Sequence, residues 1–216
     1  MSKQSIERAP LIATDFEGIL FPEMWIAVAE HTGVPELKLT TREIKDYDEL
    51  MRMRLDLLNG AGLGISEVQG IIREMDPLPG AEQFLHEVRQ LAPLVVITDS
   101  FYEFVNPIIA KLRYPAVFAH TLEINDKGRI SGYRLRLPHG KRKAIRSFHE
   151  LGFRTIAIGD SYNDIAMLKE ATECALYRPP QNVCDDFPAI PVVHDYDELG
   201  ARIRAFIERR TATALA

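Results

Sequence analysis

The chain has 216 residues, 46% hydrophobic and 26% charged, the balance of a globular protein and not of a disordered one. Its net charge of −5 excludes a general nucleic-acid binder, which needs a basic face to displace counterions from phosphates. The longest apolar run, Leu91 to Ile97, contains Pro93 and falls far short of the roughly 20 residues of a spanning helix, so no membrane partner is expected.

The N-terminus is polar up to Ala9 and has no apolar segment of the secretory kind before Asp15. Cys174 and Cys184 lack metal-ligand spacing and are too few for a disulfide framework, which predicts free thiols in the cytoplasm. In chain order, Leu11–Thr14 reads as a short buried strand ending in acid. Residues 23–76 hold no convincing strand and predict helices over 23–32, 42–59 and 65–75, the second opened by a capping box at Thr40-Thr41-Arg42-Glu43. A helix over 80–91 follows, then the strand Leu94–Thr98, a helix over 101–112 and a weaker strand over 116–119. Residues 122–137 read as a hairpin around Asn125-Asp126-Lys127-Gly128. A helix over 141–151, a strand over 155–158, a helix over 162–170, weak strands over 175–177 and 191–193 and a helix over 195–210 complete the chain.

Strands alternating with helices predict an α/β fold: a Rossmann-like three-layer core with a parallel sheet, a small β-hairpin and a helical cap inserted after the first strand. The expected division is residues 1–21 and 77–216 for the core and 22–76 for the cap, with Pro77 and Pro79 marking the return.

Ligands of open parallel sheets bind at the carboxyl ends of strands. Three such ends here carry polar groups: Thr14-Asp15-Phe16-Glu17-Gly18, Thr98-Asp99-Ser100 and Gly159-Asp160-Ser161-Tyr162-Asn163-Asp164. Lys141 opens a helix between the last two. Taken singly, Asp15 reads equally as a turn or N-cap residue, Asp160 and Asp164 as an Asx-turn and a helix-start acid, Thr98 as a β-branched strand residue, and Lys141 as solvated surface. Together they describe a phosphoryl-transfer site. Asp15 is a nucleophile, Asp15 and Asp160 are hard ligands for Mg²⁺, Thr98 and Lys141 hold phosphoryl oxygens, and Glu17 is a general acid.

These motifs resemble those of the haloacid dehalogenase-like phosphatases: DxDG(T/V) at Asp15–Ile19, a strand ending in Ser or Thr at Thr98, a lysine at Lys141 and GDxxxD at 159–164. The first motif departs twice, with Glu17 and Ile19. The chain is more similar to the phosphoserine phosphatases, including bifunctional members that also transfer phosphate to L-homoserine, through PEMWIAVAEHTG (22–33), TTREIKDYDELMRMRL (40–55), TDSFYEF (98–104) and IGDSYNDIAML (158–168). The resemblance implies Mg²⁺ held by Asp15, the Glu17 main-chain carbonyl and Asp160, O-phospho-L-serine as substrate in serine biosynthesis, and L-homoserine as a second acceptor. It also implies that Glu23 holds the substrate ammonium and Arg54 its carboxylate, with Asp99 at the phosphate, Asn163 in the pocket and Asp164 supporting Lys141 or the metal shell.

Arg54 shares a predicted helix face with Ile44, Tyr47, Met51 and Leu58, where snorkelling is the ordinary outcome and anion binding the alternative. Glu23, after Pro22, reads equally as a first-turn dipole partner. Trp25 is expected to pack the cap, and His31, His120, His139 and His149 to take surface or packing roles. Two other functions stay open: a phosphatase for another small phosphomonoester, and a non-catalytic phospho-acceptor module using Asp15.

Overall fold

A computed structural model describes residues 6–209 apart from 41, 42 and 45, together with 212 and 213. In chain order the elements are β1 (Ile6–Glu7), β2 (Ala9–Thr14), α1 (Met24–Thr32), α2 (Tyr47–Gly60), α3 (Ile65–Arg73), α4 (Ala81–Val88), β3 (Leu94–Phe101), α5 (Tyr102–Val105), β4 (Ala116–Ile124) and β5 (Ile130–Arg134). They continue with α6 (Gly140–Glu150), β6 (Phe153–Gly159), α7 (Ile165–Glu170), β7 (Glu173–Tyr177), α8 (Gln181–Asp186), β8 (Val192–Val193), α9 (Tyr196–Glu208) and β9 (Ala212–Thr213).

Among the described residues, seven strands form one sheet in the order β5-β4-β3-β2-β6-β7-β8, parallel except for the β4–β5 pair; β1 and β9 pair separately. The chain leaves β2 for β3 on one side and later returns to β6 on the other. The crevice beyond the carboxyl end of β2 is therefore a topological switch point. Asp15 stands there, its N–H donating to the Ile158 carbonyl of β6 at 3.0 Å.

The pleat divides the core. Ile12, Val96, Ile156 and Ile158 belong to one apolar cluster, and Leu11, Ala13, Val95, Ile97 and Ala157 to another with Ile145 and Leu168 from α6 and α7. Helices thus cover both faces, as a parallel sheet requires. Among the described residues, the helices over 24–73 have no apolar cluster of their own. Val28, Met51, Leu55, Leu58, Val68 and Ile72 share the first cluster with the sheet residues. Those helices are also tied to the β4–β5 hairpin: Ile65 N–H donates to Gly128 O at 2.9 Å and Asn59 Nδ2 to Ile130 O at 3.3 Å.

Several elements depart from expectation. Helix α2 begins at Tyr47 instead of residue 42, because Asp46, in extended backbone, accepts the Glu49 N–H at 3.0 Å and supplies the cap. Of the expected capping box, Thr41 and Arg42 lie outside the described residues, while Glu43 Oε2 accepts the Thr40 N–H at 2.8 Å. The helix expected over 101–112 is broken into α5 and a 3-10 turn, Ile109–Leu112, on either side of Pro107, which lacks a donor and disfavours helix before it. Strand β5 ends at Arg134, three residues short of the expected hairpin arm.

Candidate active site

The site is built from four chain segments. The turn after β2 carries Asp15 and Glu17. Asp15 is buried; its Oδ1 accepts the Phe16 N–H at 2.7 Å and its Oδ2 lies 2.9 Å from Lys141 Nζ. Burial and then the Asp164 charge push the Asp15 carboxyl well above the usual carboxylate range. Gly18 has φ +74°, and a Cβ there would lie 2.2 Å from Asp160 Oδ2, so only glycine lets the Asp15 turn and the β6 end approach this closely.

Glu17 reaches across to the helical segment, where its Oε1 accepts the Met24 N–H at the start of α1 at 2.7 Å. Burial and the neighbouring Glu23 raise its pKa to about 8, outweighing the Met24 hydrogen bond and the Arg54 charge. Glu17 is then largely protonated at neutral pH. With Oε1 accepting, the proton rests on Oε2.

Lys141, at the start of α6, is the hub. It is 5% exposed and lies 2.9 Å from Asp15, 2.8 Å from Asp164 and 3.4 Å from Asp99. Burial opposes its charge, but the three carboxylates hold its pKa well above that of a free lysine. Of the basic cluster, Lys141 alone is buried; Arg142 and Lys143 face solvent, and Arg142 pairs with Glu170 at 2.7 Å.

Asp164 is fully buried and committed on both oxygens: Oδ1 to Lys141, Oδ2 accepting the Asp160 N–H at 3.0 Å and the Ser161 N–H at 3.2 Å. A Cβ on Gly159 would fall 2.2 Å from Asp164 Cβ, which explains the glycine before Asp160. Burial, then Asp164 and Glu23, raise Asp160 to about 7.

At the end of β3, Thr98 is buried and its Oγ1 accepts the Ser100 N–H at 3.1 Å, leaving the hydroxyl hydrogen free to donate. The Asp99 side chain is 41% exposed. Burial acts to raise its pKa, but Lys141 and His120 outweigh it and hold Asp99 at about 2.

These groups open on a cavity of about 410 Å³ bordered by Glu17, Glu23, Arg54, Asp99, Asp160 and Asn163, among others. Six of the ten predicted site residues thus border one cavity, Asp15 and Asp164 join Asp99 through Lys141, and Thr98 stands at the same strand end as Asp99. Arg54 does not snorkel: it is 7% exposed, stacked 4.5 Å above the Trp25 ring, and its Nη2 donates to Leu39 O at 2.7 Å. Burial lowers its pKa to about 10, which leaves it charged at neutral pH.

Some groups at the site had no clear mark in the sequence. His120 is buried, its Nδ1 accepts the Arg136 N–H at 3.1 Å, and its Nε2 lies 3.7 Å from Asp99 Oδ1. A lone histidine inside a strand has no spacing to betray it. Tyr47 borders the cavity together with a second recess of about 270 Å³ beside Lys141, a position its place in the α2 stripe suggested only as packing.

Among the described residues, Asp15, Asp160 and Asp164 form the one group of three metal-ligating side chains, with one oxygen from each within 4.8 Å of the others. The donor set fits a hard divalent cation, because three hard carboxyl oxygens converge within 4.8 Å and a cation between them would relieve their mutual repulsion. Asp164 is held from behind by Lys141 and by the Asp160 and Ser161 N–H groups, Asp15 is engaged by the Phe16 N–H and Lys141, and Asp160 borders the cavity.

The fold and the four-segment site define a class, and the comparison with protein families agrees: the model for haloacid dehalogenase-like hydrolases matches residues 8–172. The chain belongs to that family. It is 45% identical over 185 residues to the protein called phosphoserine phosphatase ThrH in Pseudomonas aeruginosa, covering 86% of this chain and 90% of that one. It is 43% identical to a phosphoserine phosphatase of Pseudomonas syringae pv. tomato, covering 86% and 78% respectively. A solved structure titled as a phospho-aspartyl intermediate analogue of phosphoserine phosphatase superposes with a TM-score of 0.73 at 22% identity, over 90% of this chain and 99% of that one, a likeness of fold. Among the described residues no helix is long and apolar enough to cross a membrane.

Proposed function

We propose that this chain is a Mg²⁺-dependent phosphatase acting on O-phospho-L-serine through an aspartyl-phosphate on Asp15. The observation that carries the reading is geometric: the buried Asp15 carboxyl lies 2.9 Å from the Lys141 ammonium at the strand-end crevice, and Glu17, whose pKa burial raises to about 8, stands two residues on against the start of α1. The names of the relatives at 45% and 43% identity support the substrate.

Asp15 attacks phosphorus, forming the Asp15 O–P bond as the bond to the serine oxygen breaks. Glu17 gives its Oε2 proton to that departing oxygen, and then takes one from the water that displaces Asp15 and releases phosphate. The Lys141 ammonium, the Thr98 hydroxyl and the Asp99 main-chain N–H hold the phosphoryl oxygens. The Asp99 carboxylate, an anion beside an anion, orients Lys141 instead. Asp15, Asp160 and the Glu17 main-chain carbonyl would hold Mg²⁺, with Asp164 supporting from behind through Lys141 and the 160–161 N–H groups. When bound, the ion neutralises charge between the two anionic reactants.

Residues 22–76 form the substrate-selecting cap on a core of 1–21 and 77–216. In it Arg54 receives the substrate carboxylate, Glu23 the ammonium, and Asn163 closes the pocket from the core side. The hydroxyl of L-homoserine is a second acceptor for the same intermediate. The location is cytoplasmic, in keeping with two free cysteines.

Steady-state phosphate release from O-phospho-L-serine with Mg²⁺, with and without L-homoserine, tests the reading. Release that falls as phosphohomoserine appears supports one intermediate shared by two acceptors. Release without transfer removes homoserine. Turnover of an aryl phosphate but not of phosphoserine removes the substrate assignment.

A further inference from the structure

Two buried donors beside the cavity lack partners. Among the described residues five buried side-chain polar atoms make no hydrogen bond, and two of them, Arg54 Nε and Ser100 Oγ, belong to residues bordering the 410 Å³ cavity. Ser100 is 5% exposed. A buried hydroxyl without a partner costs stability, and a structure that retains one beside a pocket holds binding capacity in reserve. The place of Ser100 is specific. Its N–H is spent on Thr98 Oγ1, which fixes the strand end and leaves its own hydroxyl uncommitted. Ser100 follows Thr98 by two residues in the stretch of β3, between Ile97 and Phe101, where the pairing with β4 shifts register. Asp99 and Ser100 help form the wall shared with Trp25 and Arg54. The hydroxyl thus stands past the phosphoryl corner, on the side where the organic part of a phosphomonoester sits.

Resting on the phosphoserine reading, we propose that Ser100 is a second donor of the leaving-group subsite, giving its hydroxyl hydrogen to the substrate carboxylate that Arg54 also receives. The ligand class is an amino-acid phosphate. A carboxylate has lone pairs for both orphan donors, whereas a decarboxylated phosphomonoester satisfies neither.

The test is Ser100→Ala, read three ways. Melting of the ligand-free protein should be unchanged or raised, because the substitution removes an unsatisfied buried hydroxyl; a lowered Tm means that Ser100 is a structural donor and overturns the proposal. The KM for O-phosphoserine should rise about 10- to 100-fold, as for loss of a hydrogen bond to a charged group, while kcat/KM for phosphoethanolamine stays the same. An equal loss on both substrates would place the hydroxyl on the phosphoryl group, and no loss on either would leave it without a ligand; both overturn the proposal. Calorimetric binding of O-phosphoserine to Asp15→Asn, with and without Ser100→Ala, reads the contact without turnover. Binding weakened by Ser100→Ala in a protein whose parent fails to hydrolyse phosphoserine would sink the proposed function and uphold the subsite. Absence of binding to the Asp15→Asn parent overturns both.

Discussion

Replacing Glu17 by Gln isolates one proton. Glutamine keeps the shape of the side chain, and its carbonyl oxygen can still accept the Met24 N–H that Glu17 Oε1 holds at 2.7 Å. The contact between the Asp15 turn and α1 therefore survives, and what disappears is the acid whose pKa burial and Glu23 raise to about 8. At pH 7 Glu17 is about nine-tenths protonated by that value, so nearly every molecule starts with the proton in place. Removing a positioned general acid–base costs about 10²- to 10⁴-fold, or roughly 3–5 kcal/mol of barrier. On O-phosphoserine, whose alkoxide leaves poorly without a proton, kcat should fall by that factor. On p-nitrophenyl phosphate the leaving group needs no proton, so Asp15 should still be phosphorylated. Only the second step, where Glu17 takes a proton from water, is slowed. Stopped-flow absorbance should then record a burst of about one nitrophenolate per active site, followed by slow turnover. Equal loss on both substrates with no burst would refute the reasoning and reduce Glu17 to the clasp that joins the turn to α1.

Three further outcomes follow from the geometry. Because burial and Asp164 raise Asp160 to about 7, and a cation binds only its ionised form, apparent Mg²⁺ affinity should climb as pH rises through about 7; calorimetry in buffers of different ionisation enthalpy should detect proton release, and proton uptake would contradict it. Lys141→Met should destabilise the ligand-free protein by about 3–5 kcal/mol in urea unfolding, since it strands Asp15 and Asp164 in the interior, and a loss under about 1 kcal/mol would mean that those carboxyls simply protonate. Gly18→Ala must move Asp160 away from a Cβ otherwise 2.2 Å from its Oδ2, so Mg²⁺ affinity should drop about 10- to 100-fold; unchanged affinity would remove Asp160 as a ligand.

Much of this was legible in the chain because the chemistry stands at strand ends. Asp15, Thr98 and Asp160 each follow a short apolar run, and the parallel sheet carries those ends to one crevice. The GDxxxD spacing fixed Asp164 as well, since four residues from Asp160 its carboxylate can fold back on the N–H groups it passes. His120 stayed hidden because its partner, Asp99, arrives from another strand. Ser100 stayed hidden because an orphaned hydroxyl is a property of the packed interior. The late start of α2 was missed for a local reason: two candidate caps, Thr40 and Asp46, stand within seven residues, and it is Asp46, in extended backbone, that accepts the Glu49 N–H at the helix start.

The absence of a separate core beneath the 24–73 helices has a bearing on how such an enzyme changes its diet. Val28, Met51, Leu55 and Leu58 share one apolar body with Ile12 and Ile156, and Gly64 and Gly128 pin the same helices to the hairpin. The segment is not an exchangeable module: grafting helices from a relative with other tastes would tear the packing that steadies the nucleophile's strand. New specificities are accessible by retuning the few side chains facing the cavity, with the scaffold behind them left as it is.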